Sequence, residues 1–432
     1  MARNRYADLL RITAIGGVVY GHWLLVSVTY RDGRLSGLDA VDYVSWGRWV
    51  TWLFQVMPVF FLVGGYVNGL SWSAHRERGE AWSWWVRDRA VRLLWPTAVY
   101  IAFALVVVGI ARLAGASGAQ LAEAAWLAAL HLWFLPVYLL LNALTPALLA
   151  AHERWGFAVP AVMAVGAAVV DVFANGLHVP LIGYANYLFV WGSIHQWGFA
   201  WRDGSLTTPR RRLYAMIAVG GVVLVTLVST RTFRVDMVGS GNTNPPSIAL
   251  LAFAAAQSGL VLLAEPAVSA WLAKPERWRR VRRLNSLVMN VYLWHFAPVL
   301  VIAIGFYATG VLPQPAIGTS EWWVQRVLWF VLLTAVMVPL LALVTWCERP
   351  LLRLPAGLGH ARSWSPVLLL IGLLAVSVGL ARLAMDGFAP GGKAPTITLL
   401  GFGIGLSAIV ATGRDPAKSQ QAGESAAAGG TP

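Results

Sequence analysis

The sequence predicts an all-α fold, a polytopic bundle of transmembrane helices, and three observations predict it. The chain is 58% hydrophobic and only 12% charged over 432 residues, with a mean hydropathy of +0.63; a soluble domain of this length does not have that composition. Its apolar residues come in long continuous runs, as spanning helices need, rather than in alternating segments of about ten residues, as barrel strands show. Its basic residues fall in alternate loops, so the net charge of +14 marks orientation in a lipid bilayer and no nucleic-acid partner is expected. Cys347 is the only cysteine, which excludes an internal disulfide and a cysteine metal cluster. The first apolar run is long and lacks a small-residue cleavage site, so it is expected to remain as an anchor. Arginine far exceeds lysine, and alanine, glycine and valine are abundant, a composition that reads as bacterial and GC-rich.

Twelve spans follow in order, near 8–30, 49–71, 91–113, 124–150, 157–174, 179–200, 213–230, 248–271, 285–308, 322–346, 364–384 and 395–412. With the N-terminus cytoplasmic, 23 of the 33 Lys and Arg residues face the cytoplasm and 8 face outward, while Arg11 and Arg326 lie within spans. That bias predicts both termini in the cytoplasm, in the cytoplasmic (inner) membrane. Span two carries MPVFFLVGGYVNG, residues 57–69. There Pro58 predicts a kink, and Gly64 with Gly65 predicts close backbone approach, a broken turn or a helix-packing surface. Span three opens on RDRAVRLLWP. Its Arg87, Arg89 and Arg92 read either as positive-inside anchors or as a fork for phosphates. Residues 413–432 are small and polar and read as a disordered tail. No internal repeat is visible, which weighs against an inverted-repeat transporter.

Arg11 and His22 carry the strongest functional signal. Charged and titratable side chains at membrane depth are costly, so a role is expected of them. At about 100° per residue, the eleven steps between them return to within about 20° of one helix face, with the side chains roughly 16 Å apart along the axis. The competing reading has Arg11 snorkelling to the headgroups and His22 packing against a neighbouring helix. His131 and His295 are expected in the same depth band as His22, about 15–20 Å from the inner face, with His195 nearer the cytoplasm. Singly, each of these three reads as a structural hydrogen bond; the shared depth is what favours a site. A buried imidazole suits general-base work. No HxxxH or HExxH spacing occurs and carboxylates are few, so no metal is expected. HLWFLPVYLL places aromatics beside His131, MNVYLWHFAP puts Tyr292 and His295 three apart on one face, and CERP ends span ten at Glu348. Glu265 falls late in span eight; if that span ends early, it is merely interfacial.

Together these motifs resemble the membrane acyltransferase family 3: Arg11 and His22 in the first span, MPVFFLVGGY in the second, RxxRLLxP entering the third, HLWFL in the fourth, YLWH in the ninth and ERP closing the tenth. The resemblance covers roughly residues 5–355. It implies a ten-helix acyltransferase core over 1–355; the chain departs from the family's minimal pattern in two additional helices over 356–412, ahead of the tail over 413–432. It implies transfer of an acyl group, usually from cytosolic acyl-CoA, to a hydroxyl or amine. Acceptors in the family include envelope polysaccharides, lipid-linked sugars, peptidoglycan and secreted small molecules. By correspondence, Arg11 and His22 are the essential pair. Phe60, Phe61, Gly65 and Tyr66 fall on the second-span motif, and Arg89 and Arg92 on the basic element. Trp133 and Phe134 fall on the fourth-span motif, and His295 and Glu348 on the late ones.

The expected function is therefore an integral-membrane, acyl-CoA-dependent O-acyltransferase. His22 is its base, and Arg11, Arg89 and Arg92 hold the donor with Phe60, Phe61, Gly65 and Tyr66. His131, Trp133, Phe134, Tyr292, His295 and Glu348 line the acceptor side. Acyl-CoA is a co-substrate, and no permanently bound cofactor is expected. The alternative is a transporter of an envelope precursor or lipid-linked sugar using the buried His and Arg. Thioester cleavage separates the two.

Overall fold

The computed structural model describes residues 4–31, 33–239, 241–348 and 365–412. In chain order its elements are α1 (Arg5–Leu25), a hairpin of β1 (Val26–Arg31) and β2 (Arg34–Asp39), α2 (Gly47–Phe54), α3 (Met57–Glu77), α4 (Trp82–Leu113), α5 (Gly118–Ala129), α6 (Phe134–Trp155), α7 (Ala158–Asp171), α8 (Asn186–Arg202), α9 (Arg211–Ser229), α10 (Ile248–Leu272), α11 (Pro275–Asn285), α12 (Val288–Trp294), α13 (Ala297–Ile302), α14 (Ser320–Glu348), α15 (Ser365–Asp386) and α16 (Thr396–Ala411). Each of the twelve expected spans meets a helical body. Among the described residues, nine are long and apolar enough by length and composition to cross a membrane. The three outside that set are α1, which carries Arg5, Asp8, Arg11 and His22, and the shorter α8 and α16 of 17 and 16 residues.

Three local departures from the sequence reading have clear causes. First, the opening span stops at Leu25 rather than 30. Val26, Val28, Thr29 and Tyr30 are β-branched or aromatic and favour a strand, and β1 pairs antiparallel with β2 from Val26–Asp39 to Arg31–Arg34. Gly33, at φ +73°, permits the tight reversal. Second, Pro58 makes no kink inside a helix. It falls in the first turn of α3, where a missing N–H is harmless, and the break comes earlier, at Gln55–Val56. Third, two spans read as continuous are broken. Pro136 removes the donor to the Leu132 carbonyl, and the chain passes through a 3-10 turn over Leu130–Trp133. Pro298 does the same to Trp294, and His295 and Phe296 sit in the gap between α12 and α13. Each break holds a histidine of the expected site.

The chain forms two compact units, one of Met1–Ser73 with Leu144–Leu343 and one of Ala74–Ala143 with Val344–Pro432. In the first, α1 packs on α2, α10, α11 and α12, while α7 pairs with α8 and α9 with α10. Helices α3 and α8 cross backbone to backbone. A Cβ on Gly65 would lie 2.0 Å from the His195 carbonyl oxygen, and one on Gly198 2.3 Å from that of Leu62. Gly65 of span two thus serves close approach within an unbroken helix. Because backbone cannot yield, Gly65→Ala is expected to destabilise the fold by about 1–3 kcal/mol. Chemical or thermal unfolding in detergent checks this; an unchanged midpoint would contradict the crossing.

In the second unit, α15 pairs with α16, and both pack with α4. Gly372 and Gly405 allow the first contact: a Cβ on either would lie 2.8 Å from the other's carbonyl oxygen. Arg87, expected as an anchor or phosphate fork, is buried. It bonds Asp88 at 3.2 Å and the Val410 carbonyl at 3.1 Å, near the C-terminal end of α16 where cations are favoured. The boundary expected at 355, Arg349 and Pro350 of the ERP motif, and the tail from 413 lie outside the described residues.

Candidate active site

The last turn of α1 brings His22 to the gap between α12 and α13. His22 Nδ1 lies 2.8 Å from His295 Nε2, with the two rings nearly parallel at 14° and their centroids 5.1 Å apart. His295 is fully buried, and its Nδ1 lies 2.7 Å from the Tyr292 carbonyl oxygen. A carbonyl oxygen only accepts, so His295 Nδ1 carries the proton. In the neutral pair His295 Nε2 is then the acceptor, and His22 Nδ1 is the donor. The chain of bonds leaves His22 Nε2 with its lone pair. That atom makes no hydrogen bond to any described residue, and the His22 side chain is only half-buried. Trp23 Nε1 donates to the His295 carbonyl at 2.8 Å, and the Phe296 ring lies beside both imidazoles at 5.1 and 4.5 Å. The site therefore holds one basic nitrogen with no hydrogen bond to a described residue, oriented from behind by a second histidine.

Local sequence explains the arrangement. Pro298 opens the helix and so turns the His295 ring back onto the Tyr292 carbonyl of its own turn. Gly21, beside His22, lets Phe54 approach so closely that a Cβ would lie 2.9 Å from it. Tyr292 contributes its backbone carbonyl; its ring lies 6.4 Å from that of His295.

Arg11 sits three turns earlier on α1. Its Nε and Nη2 donate to Asn285 Oδ1 at 3.1 and 2.6 Å, and Nη2 reaches Asp8 Oδ1 at 3.4 Å. Asn285 Nδ2 closes the triangle on Asp8 at 3.1 Å. Nη1 makes no hydrogen bond to a described residue, and the side chain is 33% exposed. Arg11 is thus a held cation with one open edge. Asp8 was readable in the sequence as an i, i+3 partner. Asn285 was not, because it arrives from the far end of α11.

The other expected residues of this unit are placed around the crossing of α3 and α8. Phe61 is fully buried and stacks on Trp191 at 4.5 Å. Gly65 faces α8. Tyr66 accepts a hydrogen bond from Asn4 at 3.0 Å and leans on Trp201 at 4.2 Å; Phe60 is half-buried. Trp201 Nε1 in turn donates to Glu265 at 2.8 Å, so Glu265 belongs to a hydrogen-bonded cluster rather than a bare interface. His195 is buried, with Nε2 3.2 Å from the Asn68 amide, a structural pairing.

In the second unit, His131 is buried in the 3-10 turn with its ring edge to Tyr100 at 5.8 Å. Trp133 and Phe134 meet edge to face at 6.5 Å, and Phe134 stacks on Tyr138. Arg89 lies over the Trp85 ring and Arg92 is exposed. Glu348 is buried at the end of α14.

The model of a family described as Acyltransferase domain matches residues 4–346. No curated protein and no solved structure matches the chain.

Proposed function

The chain belongs to this acyltransferase family, and from that we propose that it moves an acyl group from cytosolic acyl-CoA to a hydroxyl of an envelope sugar, lipid-linked glycan or secreted small molecule. His22 Nε2 is the base that takes the hydroxyl proton. The oxygen attacks the thioester carbonyl, the carbon–oxygen bond forms and the carbon–sulfur bond breaks. The proton held on His22 then leaves with the thiolate, giving an ester and free CoA thiol. His295 Nε2 stays hydrogen-bonded to His22 Nδ1 throughout and steadies the imidazolium that forms in between. The observation that carries this reading is the bond chain from the Tyr292 carbonyl through His295 to His22, which leaves one accessible lone pair.

Arg11 serves the donor. With the N-terminus cytoplasmic, its open edge faces the side from which CoA arrives, and guanidinium suits phosphate oxygens. A pantetheine arm extended along the shared face of α1 carries the thioester the roughly 16 Å to His22. Arg11→Lys loses the fork on Asn285 and the free Nη1, and is expected to raise the donor KM about 10- to 100-fold, the weight of one hydrogen bond to a charged group. Steady-state kinetics against donor concentration checks this; an unchanged KM would remove Arg11 from the donor site.

The reading itself is tested on purified protein in nanodiscs. Free thiol release is followed from a panel of short-chain acyl-CoAs, with a crude envelope extract as acceptor. Acceptor-dependent release from at least one donor is expected. Its absence for every donor, with folded protein, would contradict acyl-CoA as the source.

A further inference from the structure

Beyond His22, at the opposite end of α1 from Arg11, lies a buried cation. Arg326, in the second turn of α14, is only 6% exposed. Its guanidinium sits over the Trp322 ring at 4.4 Å and beside Trp329 at 5.6 Å. Among the described residues its one hydrogen bond is long, from Nη1 to the Trp23 carbonyl at 3.4 Å, and Nε has no partner there. No carboxylate pairs with it among the described residues. A buried guanidinium in that state is costly, and two aromatic faces offset only part of the cost.

Arg326 lines a small pocket with Ser27 and Thr29 of the hairpin, Tyr307, Gln314, Trp322 and Trp329; its free volume of ≈ 20 Å³ has room for one small polar group, and it is partly open to solvent. The Tyr307 ring stacks on Trp329 at 5.6 Å, and its hydroxyl makes no hydrogen bond to a described residue. Ser27 Oγ accepts from Trp322 Nε1 at 3.5 Å, so its own proton is free to donate. The pocket has a cation, two uncommitted hydroxyl donors and no acidic side chain. Donors of this kind match an oxyanion.

We infer that the Arg326 pocket holds an oxyanion carried by the acceptor, the carboxylate of an acidic sugar or the phosphate of a lipid-linked one. This rests on the transferase reading above and names its acceptor class. Placement supports it. The Trp23 carbonyl that meets Arg326 belongs to the residue after His22, and the Trp23 indole bonds His295. An acceptor anchored there lies on the hairpin side of the base, while Arg11 marks the donor side.

The test has two arms on the full chain in nanodiscs. In the first, binding of methyl glucuronide, glucose 1-phosphate and neutral methyl glucoside is measured by titration calorimetry. Wild type is expected to bind one of the anionic probes about 10- to 100-fold more tightly than the neutral one, the weight of a charge-assisted bond. Arg326→Gln is expected to lose that preference. A response to glucuronide alone identifies a carboxylate, and one to the phosphate alone a phosphate. In the second arm, the ratio of kcat/KM for anionic and neutral acceptors is measured and is expected to collapse in the variant. Should Arg326→Gln not fold, Tyr307→Phe serves, with an expected loss of about 10-fold in the same preference. Equal binding of charged and neutral probes by wild type, or an undiminished preference in the variants, would overturn the proposal. Anion binding without thiol release from any donor would keep the site and sink the transferase reading.

Discussion

Replacing His22 by alanine is expected to lower acyl transfer by about 10²–10⁴-fold, the range a positioned general base supplies. The ring is half-buried, so the lost packing is small, but removal leaves the buried His295 Nε2 without its donor. That costs about 1–3 kcal/mol and would mix a folding effect with the catalytic one. His22→Asn separates them. Its amide nitrogen stands near the place of Nδ1 and can still donate to His295, while nothing stands in for Nε2. The asparagine variant is expected to fold like wild type and to be as inactive as the alanine variant. Thiol release at matched amounts of folded protein decides the matter; activity within a few-fold of wild type in His22→Asn would show that Nε2 is not the base.

The second large effect is expected at His295. It does not reach the reacting atoms in this account; it positions His22 by accepting from Nδ1 and so keeps the lone pair on Nε2. His295→Leu removes the acceptor, frees the ring to take the other tautomer and withdraws support from the imidazolium. The expected loss is about 10²-fold, between one hydrogen bond to a charged group and the ~10⁴ lost when a catalytic triad's orienting carboxylate is replaced. His295→Gln is the informative companion, because its amide oxygen can accept from His22 Nδ1 and is expected to restore activity to within about 10-fold of wild type. A residue that merely filled the gap ahead of Pro298 would make leucine the better replacement. Equal loss in both variants would contradict the positioning role.

The helical bundle was legible because a bilayer forces the backbone to bond within its own segment, so hydropathy alone locates the helices. Arg11 and His22 were legible because helix periodicity fixes their common face. The partnership of His22 with His295 appeared in the sequence only as a shared depth. It depends on α1 packing against α12 and on the opening ahead of Pro298, and neither contact is local. The end of α1 was misplaced because Val26–Tyr30 is as apolar as a helix end, and its strand pairing is with residues still further along. The same hairpin forms one wall of the Arg326 pocket. Arg326 was visible as a charge inside a span, but its lack of a carboxylate partner among the described residues was not, since that depends on every helix around it. Gly65 and Phe61 were singled out with the donor; the structure places Gly65 at the crossing of α3 and α8 and Phe61 in the core.

The proton on His22 is the point on which the account turns. With ring nitrogens labelled with ¹⁵N in histidine-labelled protein, and signals assigned by their loss in His22→Asn, NMR reads which nitrogen is bare. The account expects Nδ1 of His22 protonated and Nε2 bare at neutral pH, with His295 in the same tautomer. A proton on Nε2 of His22 and a bare Nδ1 would contradict it, because the accessible nitrogen would then have no lone pair with which to take the acceptor's proton.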